Sequence, residues 1–401
     1  MKRACPASPR QHQSGAALLV LLTLLALWGL YLFVGQLSAG QLVVARAQEA
    51  AVALAEARQA LIGDAISQTA VGDAGSLRLP DIGEKENRVL NEGDAAPPPD
   101  FADKDLSVLG KFPWKTLRTA ALRDASGECL WYVVSGRFKK APATDALNWD
   151  TQGQLDLIDG AGNSIATNLA ALIVAPGRAL DTQDRTRGDK AYVECGGNYE
   201  ARNYLDPSVN EYAIAGRLNY FAGGTNGRVA PNAGNSTFVV ADNAHYNDRL
   251  ARITVDDLFT PIMRRSDFAL AIGALLDHPA FRTIPIAGNK GTGNLVCSAA
   301  PSKSFCDNWR EMFLLTQLAA PTSVTIDGVQ SPPCNRVLIF GGRRTPTQGR
   351  SSPADKANPN NYLEGGNAVS FGVPMATASN FSGASVFDWS SPTTDLVRCL
   401  P

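Results

Sequence analysis

Apolar residues crowd the start of this chain and are spaced out after it. Residues 16–34, AALLVLLTLLALWGLYLFV, form an uncharged run of nineteen. At 1.5 Å per residue such a helix reaches about 28 Å, close to the thickness of a bilayer's hydrocarbon core. Trp28 and Tyr31 lie towards its far end, where amphipathic rings favour the interface. From 35 to 70 there is no proline, and Val43, Ala47, Ala50, Leu54, Ala57 and Leu61 recur at spacings of 4, 3, 4, 3 and 4. That is one seam of a helix, with Arg46, Glu49, Glu56 and Arg58 off it. The pattern predicts one unbroken helix over 16–70, apolar on all sides in its first half and amphipathic in its second.

The texture then changes. Residues 71–108, punctuated by Gly72, Gly75, Gly83, Gly93 and Pro97–Pro99, read as a linker that either wraps the following domain or stays free of it. Residues 129–135, CLWYVVS, read as a strand. Residues 153–175 read as strand, turn and strand, with Asp159–Gly160 as the turn and Ala170–Val174 as the second apolar run. Residues 176–248 look loop-rich. Over 254–277 a helix is expected, with Thr254 as cap, Asp256 and Asp257 at its positive end, and Pro261 dividing or kinking it. A short helix is expected over 306–319 and a buried strand over 336–342. The implied order is a basic leader (1–15), the long helix (16–70), the linker (71–108), a β domain (109–180) and a C-terminal subdomain or extension (181–401). No internal repeat of fixed period is found, although Asn203-Tyr204-Leu205-Asp206 and Asn361-Tyr362-Leu363-Glu364 share one pattern.

Charge gives the first run an orientation. Lys2, Arg3 and Arg10 precede it and the next basic residue is Arg46. This puts the N-terminus in the cytoplasm and residues 35–401 across the membrane. A cleaved secretory signal fits less well, because its apolar region should span about 7–15 residues. A plain single-span anchor fits the hydropathy but does not need the amphipathic continuation. With 37 basic and 38 acidic residues the chain is not a basic nucleic-acid binder, and without the three leader bases its net charge is −4.

The stretch Ser14-Gly15-Ala16-Ala17-Leu18-Leu19-Val20, a short basic leader ending in glycine before a long apolar helix, resembles a type IV prepilin, the class shared by pilins and the pseudopilins of type II secretion. It is similar to the start of minor pilins of the PilX type. The resemblance implies cleavage by prepilin peptidase between Gly15 and Ala16 and methylation of the new N-terminus. It implies an α+β fold, in which the long transmembrane and amphipathic helix packs on an antiparallel β-sheet. It further implies a non-catalytic subunit of a pilus or secretion filament, single-pass in the bacterial inner membrane, with a periplasmic or extracellular domain. Its partners would be the peptidase, other pilin or pseudopilin subunits and the inner membrane, with no cofactor and no nucleic acid. One departure matters: the family usually has Glu where this chain has Val20. That carboxylate offsets a neighbour's N-terminal amine in the apolar filament core, where an unpaired ammonium is costly. Its absence points to a minor or tip subunit. The alternatives are a membrane-anchored periplasmic binding protein outside any filament and an exported enzyme.

Cys5 lies in the leader, whereas Cys129, Cys195, Cys297, Cys306, Cys334 and Cys399 lie on the exported side. An even number there fits three disulfides in an oxidising compartment, with fifteen connectivities open, or some buried free thiols. The pairing expected is Cys297–Cys306, Cys129–Cys195 and Cys334–Cys399, the last similar to the C-terminal disulfide of pilins. No nucleophile elbow, zincin motif, Walker loop or strand-linked dinucleotide loop occurs. His245 and His278 read as surface or satisfied histidines rather than bases or ligands, and Ser135 as a turn residue. Asp156, Asp159, Asp181, Asp184 and Asp189 could offer oxygens to calcium, but none follows the EF-hand order and no metal site is expected. Arg187-Gly188-Asp189 and the sequons at Asn235 and Asn380 read as chance matches.

Overall fold

The computed structural model describes residues 14–401 apart from 84–90, 98–100, 102, 141–145, 182, 186–193, 196, 207–219, 222–234, 244, 287–296, 298, 299, 301 and 379. The fold is α+β, with an N-terminal helix and antiparallel sheets. Helix α1 (Ser14–Ile66) is continuous for 53 residues. Its described side chains from Ala17 to Phe33 are all exposed, and the run includes Leu18 to Leu22, Trp28, Tyr31 and Phe33. Among the described residues, no helix is long and apolar enough to cross a membrane. The second half of α1 behaves differently. Ala50, Ala53, Leu54, Ala57, Leu61 and Ala65 are buried, so the expected seam is occupied from Ala50 onward. Val43, at its lower end, remains 63% exposed.

The seam packs on a five-stranded antiparallel sheet of order β6-β1-β2-β5-β8. Its strands are β1 (Ser107–Lys111), β2 (Trp131–Val134), β5 (Ala171–Ala175), β6 (Tyr220–Phe221) and β8 (Arg249–Ile253). Alternate residues point to opposite faces. Val108, Tyr132, Val134, Ile173 and Ile253 therefore join α1 in the larger core, while Leu109, Trp131, Val133, Leu172 and Val174 face a second core. That second core is closed by a small sheet of order β4-β3-β7, built from β3 (Leu155–Asp159), β4 (Ser164–Leu169) and β7 (Ser236–Val240). The turn expected at Asp159 is present: its Oδ1 accepts from the Ala161 and Asn163 amides at 2.9 and 2.8 Å. Strands β6, β7 and β8 lie beyond residue 181 yet complete sheets begun before it, so strand pairing runs across the expected 180/181 division.

Ions lock α1 to this body. Arg58 pairs with Asp257 at 2.7 Å, and Arg78 with Asp64 at 2.9 Å. Arg265 donates to the Ile66 and Gln68 carbonyls at 2.5 and 3.0 Å, placing a cation at the negative end of the helix. The expected linker is packed against the domain over its described stretches. Leu77, Leu79 and Ile82 are buried, and Asp81 accepts from Gly83 N, Gly93 N and the Tyr199 hydroxyl at 3.0, 2.7 and 2.7 Å. A Cβ on Gly72 would stand 2.2 Å from the Phe305 nitrogen, so only glycine permits that approach.

The helical region expected over 254–277 is two helices, α2 (Val255–Met263) and α3 (Ser266–Leu276). Thr254 caps α2 in a capping box with Asp257, and the break falls three residues after Pro261. The helix expected over 306–319 is only half right. Helix α4 (Lys303–Trp309) ends early, and Phe313–Thr322 is strand β9. Its run FLLTQL suits either period, and pairing with β12 (Cys334–Phe340) decides for strand. With β13 (Met375–Ala376) and β15 (Leu396–Leu400), these form a four-stranded sheet of order β13-β9-β12-β15. A small sheet of β10 (Thr325–Ile326), β11 (Val329–Gln330) and β14 (Ser382–Gly383) completes the fold. Trp149, Phe268, Trp309 and Phe340 pack edge-on or tilted with ring centres 4.6–6.5 Å apart and join this sheet to the core beneath α1.

Candidate functional site

Three features carry the candidate chemistry: α1, a cleft beside it, and a polar motif that occurs twice. Gly15 and Ala16 fall in the first turn of α1, and the rest of the leader, with Cys5, lies outside the described residues apart from Ser14. The cleft, of about 220 Å³, opens where α1 leaves the sheet. On the α1 side it is lined by Val43, Arg46, Ala47 and Ala50, the lower end of the seam. On the other side stand Arg178 and Arg249, with Asp124, Asp242 and Asn247. Asp124 is a structural acid, accepting from Ser126 N and Glu128 N at 2.8 and 3.1 Å and from Gly177 N at 2.7 Å. Burial raises its pKa against those hydrogen bonds.

The shared Asn-Tyr-Leu-acid pattern has a physical cause. After β5 the chain reads Gly177-Arg178, then Gln183-Asp184-Arg185, then Asn203-Tyr204-Leu205-Asp206, and Asp248 precedes β8. After β12 it reads Gly342-Arg343, then Gln348-Gly349-Arg350, then Asn361-Tyr362-Leu363-Glu364, and Asp395 precedes β15. Several hydrogen bonds recur in both copies. Arg185 donates to Gly177 O, Asn203 O and Gln183 Oε1 at 2.8, 2.8 and 2.6 Å. Arg350 donates to Gly342 O, Asn361 O and Gln348 Oε1 at 3.0, 2.5 and 3.3 Å. The glutamine amides donate to Leu205 O and Leu363 O at 3.4 and 3.1 Å. The guanidinium carbons stand 5.0 and 4.4 Å from the Tyr204 and Tyr362 ring centres. The acid's backbone amide donates to the distant aspartate in both copies, Asp206 N to Asp248 at 3.0 Å and Glu364 N to Asp395 at 3.1 Å.

Each copy thereby sets two carboxyl groups side by side, both buried in the first copy, whereas in the second Asp395 is buried and Glu364 half-buried. Burial and the Asp206 charge push Asp248 well above the usual carboxylate range, and burial also raises Asp206. Burial, with the Glu364 charge adding to it, raises Asp395 to about 6. One oxygen of each distant aspartate, Oδ1, has no hydrogen-bond partner among the described residues. The second copy also encloses the Arg350–Asp150 ion pair at 3.0 Å, with both side chains at least 98% buried. Sequence reasoning saw only the Asn-Tyr-Leu-acid part. The fuller signal was the paired Gly-Arg and Thr-Gln-x-Arg ahead of it, Thr182–Arg185 and Thr347–Arg350.

The remaining candidates are dispersed. Six cysteines form Cys129–Cys195, Cys297–Cys306 and Cys334–Cys399, the pairs expected above. His245 is exposed, and His278 Nδ1 accepts from Ala280 N at 3.2 Å as a cap. Ser135 is buried and its Oγ accepts from Gln154 N at 3.0 Å. Asp156 accepts from Asn168 N and from Asn235 Nδ2, both at 2.9 Å. Asp181 and Asp184 are exposed, and Arg187-Gly188-Asp189 lies outside the described residues. Among the described residues no three His, Cys, Asp or Glu side chains gather as metal ligands. No protein family, curated protein or solved structure matches this chain.

Proposed function

We propose that this chain is a non-catalytic minor pilin or pseudopilin-like subunit of a type IV pilus or type II secretion-type filament, anchored in the bacterial inner membrane. The observation that supports this best is the division of α1. One continuous helix leaves apolar side chains exposed on every side in its first half and buries a small-residue seam on an antiparallel sheet in its second. In the reading proposed, the uncharged run 16–34 sits in lipid, while the seam fixes the exported domain to the helix. Three disulfides fit an oxidising compartment. Prepilin peptidase removes residues 1–15, and the open lower end of the seam, with its cleft, faces other subunits.

Replacing the leader glycine is the test. Gly15→Ala in the native host should leave the leader attached and keep the chain out of sheared surface filaments. Maturation indistinguishable from wild type would overturn the proposal and leave a static anchor.

A further inference from the structure

The first arginine of the polar motif meets different surroundings in the two copies. In the second, Arg343 is ion-paired with Asp256, an acid in the first turn of α2. Its counterpart in the first copy is Arg178, and no acid among the described residues pairs with it. The helix beside Arg178 is α1, which contributes another cation, Arg46, and β8 adds Arg249. All three guanidinium groups are exposed, and none has a hydrogen-bond or ion-pair partner among the described residues. The acids on the same cleft do not offset them equally. Asp124 is turned towards three backbone amides, and with Asp242 it sets two acids against three arginines. The floor between them is apolar and small, from Val43, Ala47 and Ala50.

We propose that this cleft is a docking site for an acidic helical segment of a neighbouring protein subunit, whose carboxylates take up Arg46, Arg178 and Arg249 as Asp256 takes up Arg343. The small side chains on α1 let a second helix approach closely, and the arginine rim selects the acidic one. The proposal extends the filament-subunit reading and rests on it only for the neighbour being anchored in the same membrane. Carboxylate selection by the cleft does not depend on leader processing.

The probe is a stapled, fluorescein-labelled helical peptide carrying residues 253–260, which contain Asp256 and Asp257. It is titrated by anisotropy against the full-length chain in non-ionic detergent at low salt. The expected result is saturable binding, weakened about fivefold to tenfold by Arg178→Glu and again by Arg249→Glu. Binding should also fall when both peptide aspartates are asparagine, and return when a peptide with lysines at those positions meets the Arg178→Glu chain. These arginines are exposed, so unchanged thermal melting of each variant shows that folding is intact. Absence of binding, or binding indifferent to both arginine changes, overturns the proposal. So does equal competition by free citrate, which would make the cleft a small-anion site. Because uncleaved chain serves equally well, failure here is distinct from failure of processing at Gly15.

Discussion

Asp395 gives stability a pH dependence that can be worked out from its surroundings. Its Oδ2 accepts from Asn367 Nδ2 at 2.8 Å and from Glu364 N at 3.1 Å, while Oδ1 is buried. Desolvation outweighs those hydrogen bonds, and the carboxyl is raised from 3.8 to about 6. The folded chain therefore holds a proton between pH 4 and 6 that the unfolded chain has released. Stabilisation from this group is complete below the unfolded value and is lost as pH rises towards 6. Two pKa units at 1.36 kcal/mol each amount to roughly 3 kcal/mol. Asp395→Asn keeps an acceptor for Asn367 and Glu364 but cannot ionise. Urea unfolding of the full-length chain in detergent, repeated from pH 4 to 7.5, should show wild type losing about 3 kcal/mol relative to Asp395→Asn across that window. Above pH 6.5 the two curves should run parallel. Parallel curves over the whole range would refute the burial argument. Glu364→Gln should shrink the loss without abolishing it, because the Glu364 charge is the smaller cause.

Other outcomes follow from the same contacts. Asp248→Asn should likewise remove a loss of stability with rising pH, since burial raises Asp248 in the same direction. Gln183→Ala and Gln348→Ala, which break equivalent bonds, should lower stability by similar amounts, about 1–3 kcal/mol each in chemical unfolding; a large difference would deny the equivalence of the two motifs. Gly72→Ala should cost more than the roughly 1 kcal/mol of an ordinary glycine change, because a Cβ there meets the backbone of α4. Leu61→Ala, at a position 1% exposed in the seam, should cost about 2–5 kcal/mol and loosen α1 from the sheet in hydrogen exchange.

Much of this architecture can be read along the chain, for identifiable reasons. The seam of α1 shows as spacing because one side of a helix meets a sheet, and Ala50, Leu54, Ala57 and Leu61 are buried where the period puts them. Strands β2, β5 and β12 show as apolar runs because both of their faces are covered. Thr254 and Pro261 show because capping and ring geometry act locally. Phe313–Leu318 misleads because a short apolar run fits either period until a partner strand arrives. The repeated motif is harder to see. Its glutamine and asparagine are twenty residues apart in one copy and thirteen in the other, so no period exists. Its distant aspartates, Asp248 and Asp395, meet the motif only through the sheet. The arginine cleft is invisible in sequence, because Arg46, Arg178 and Arg249 converge only after β5 and β8 pair beside α1.

The central claim is that α1 belongs to a processed filament subunit. Intact mass and N-terminal sequencing of the protein purified from its native membrane test it most directly. The account predicts a chain beginning at Ala16 and carrying one added methyl group. A chain beginning at Met1 would contradict it.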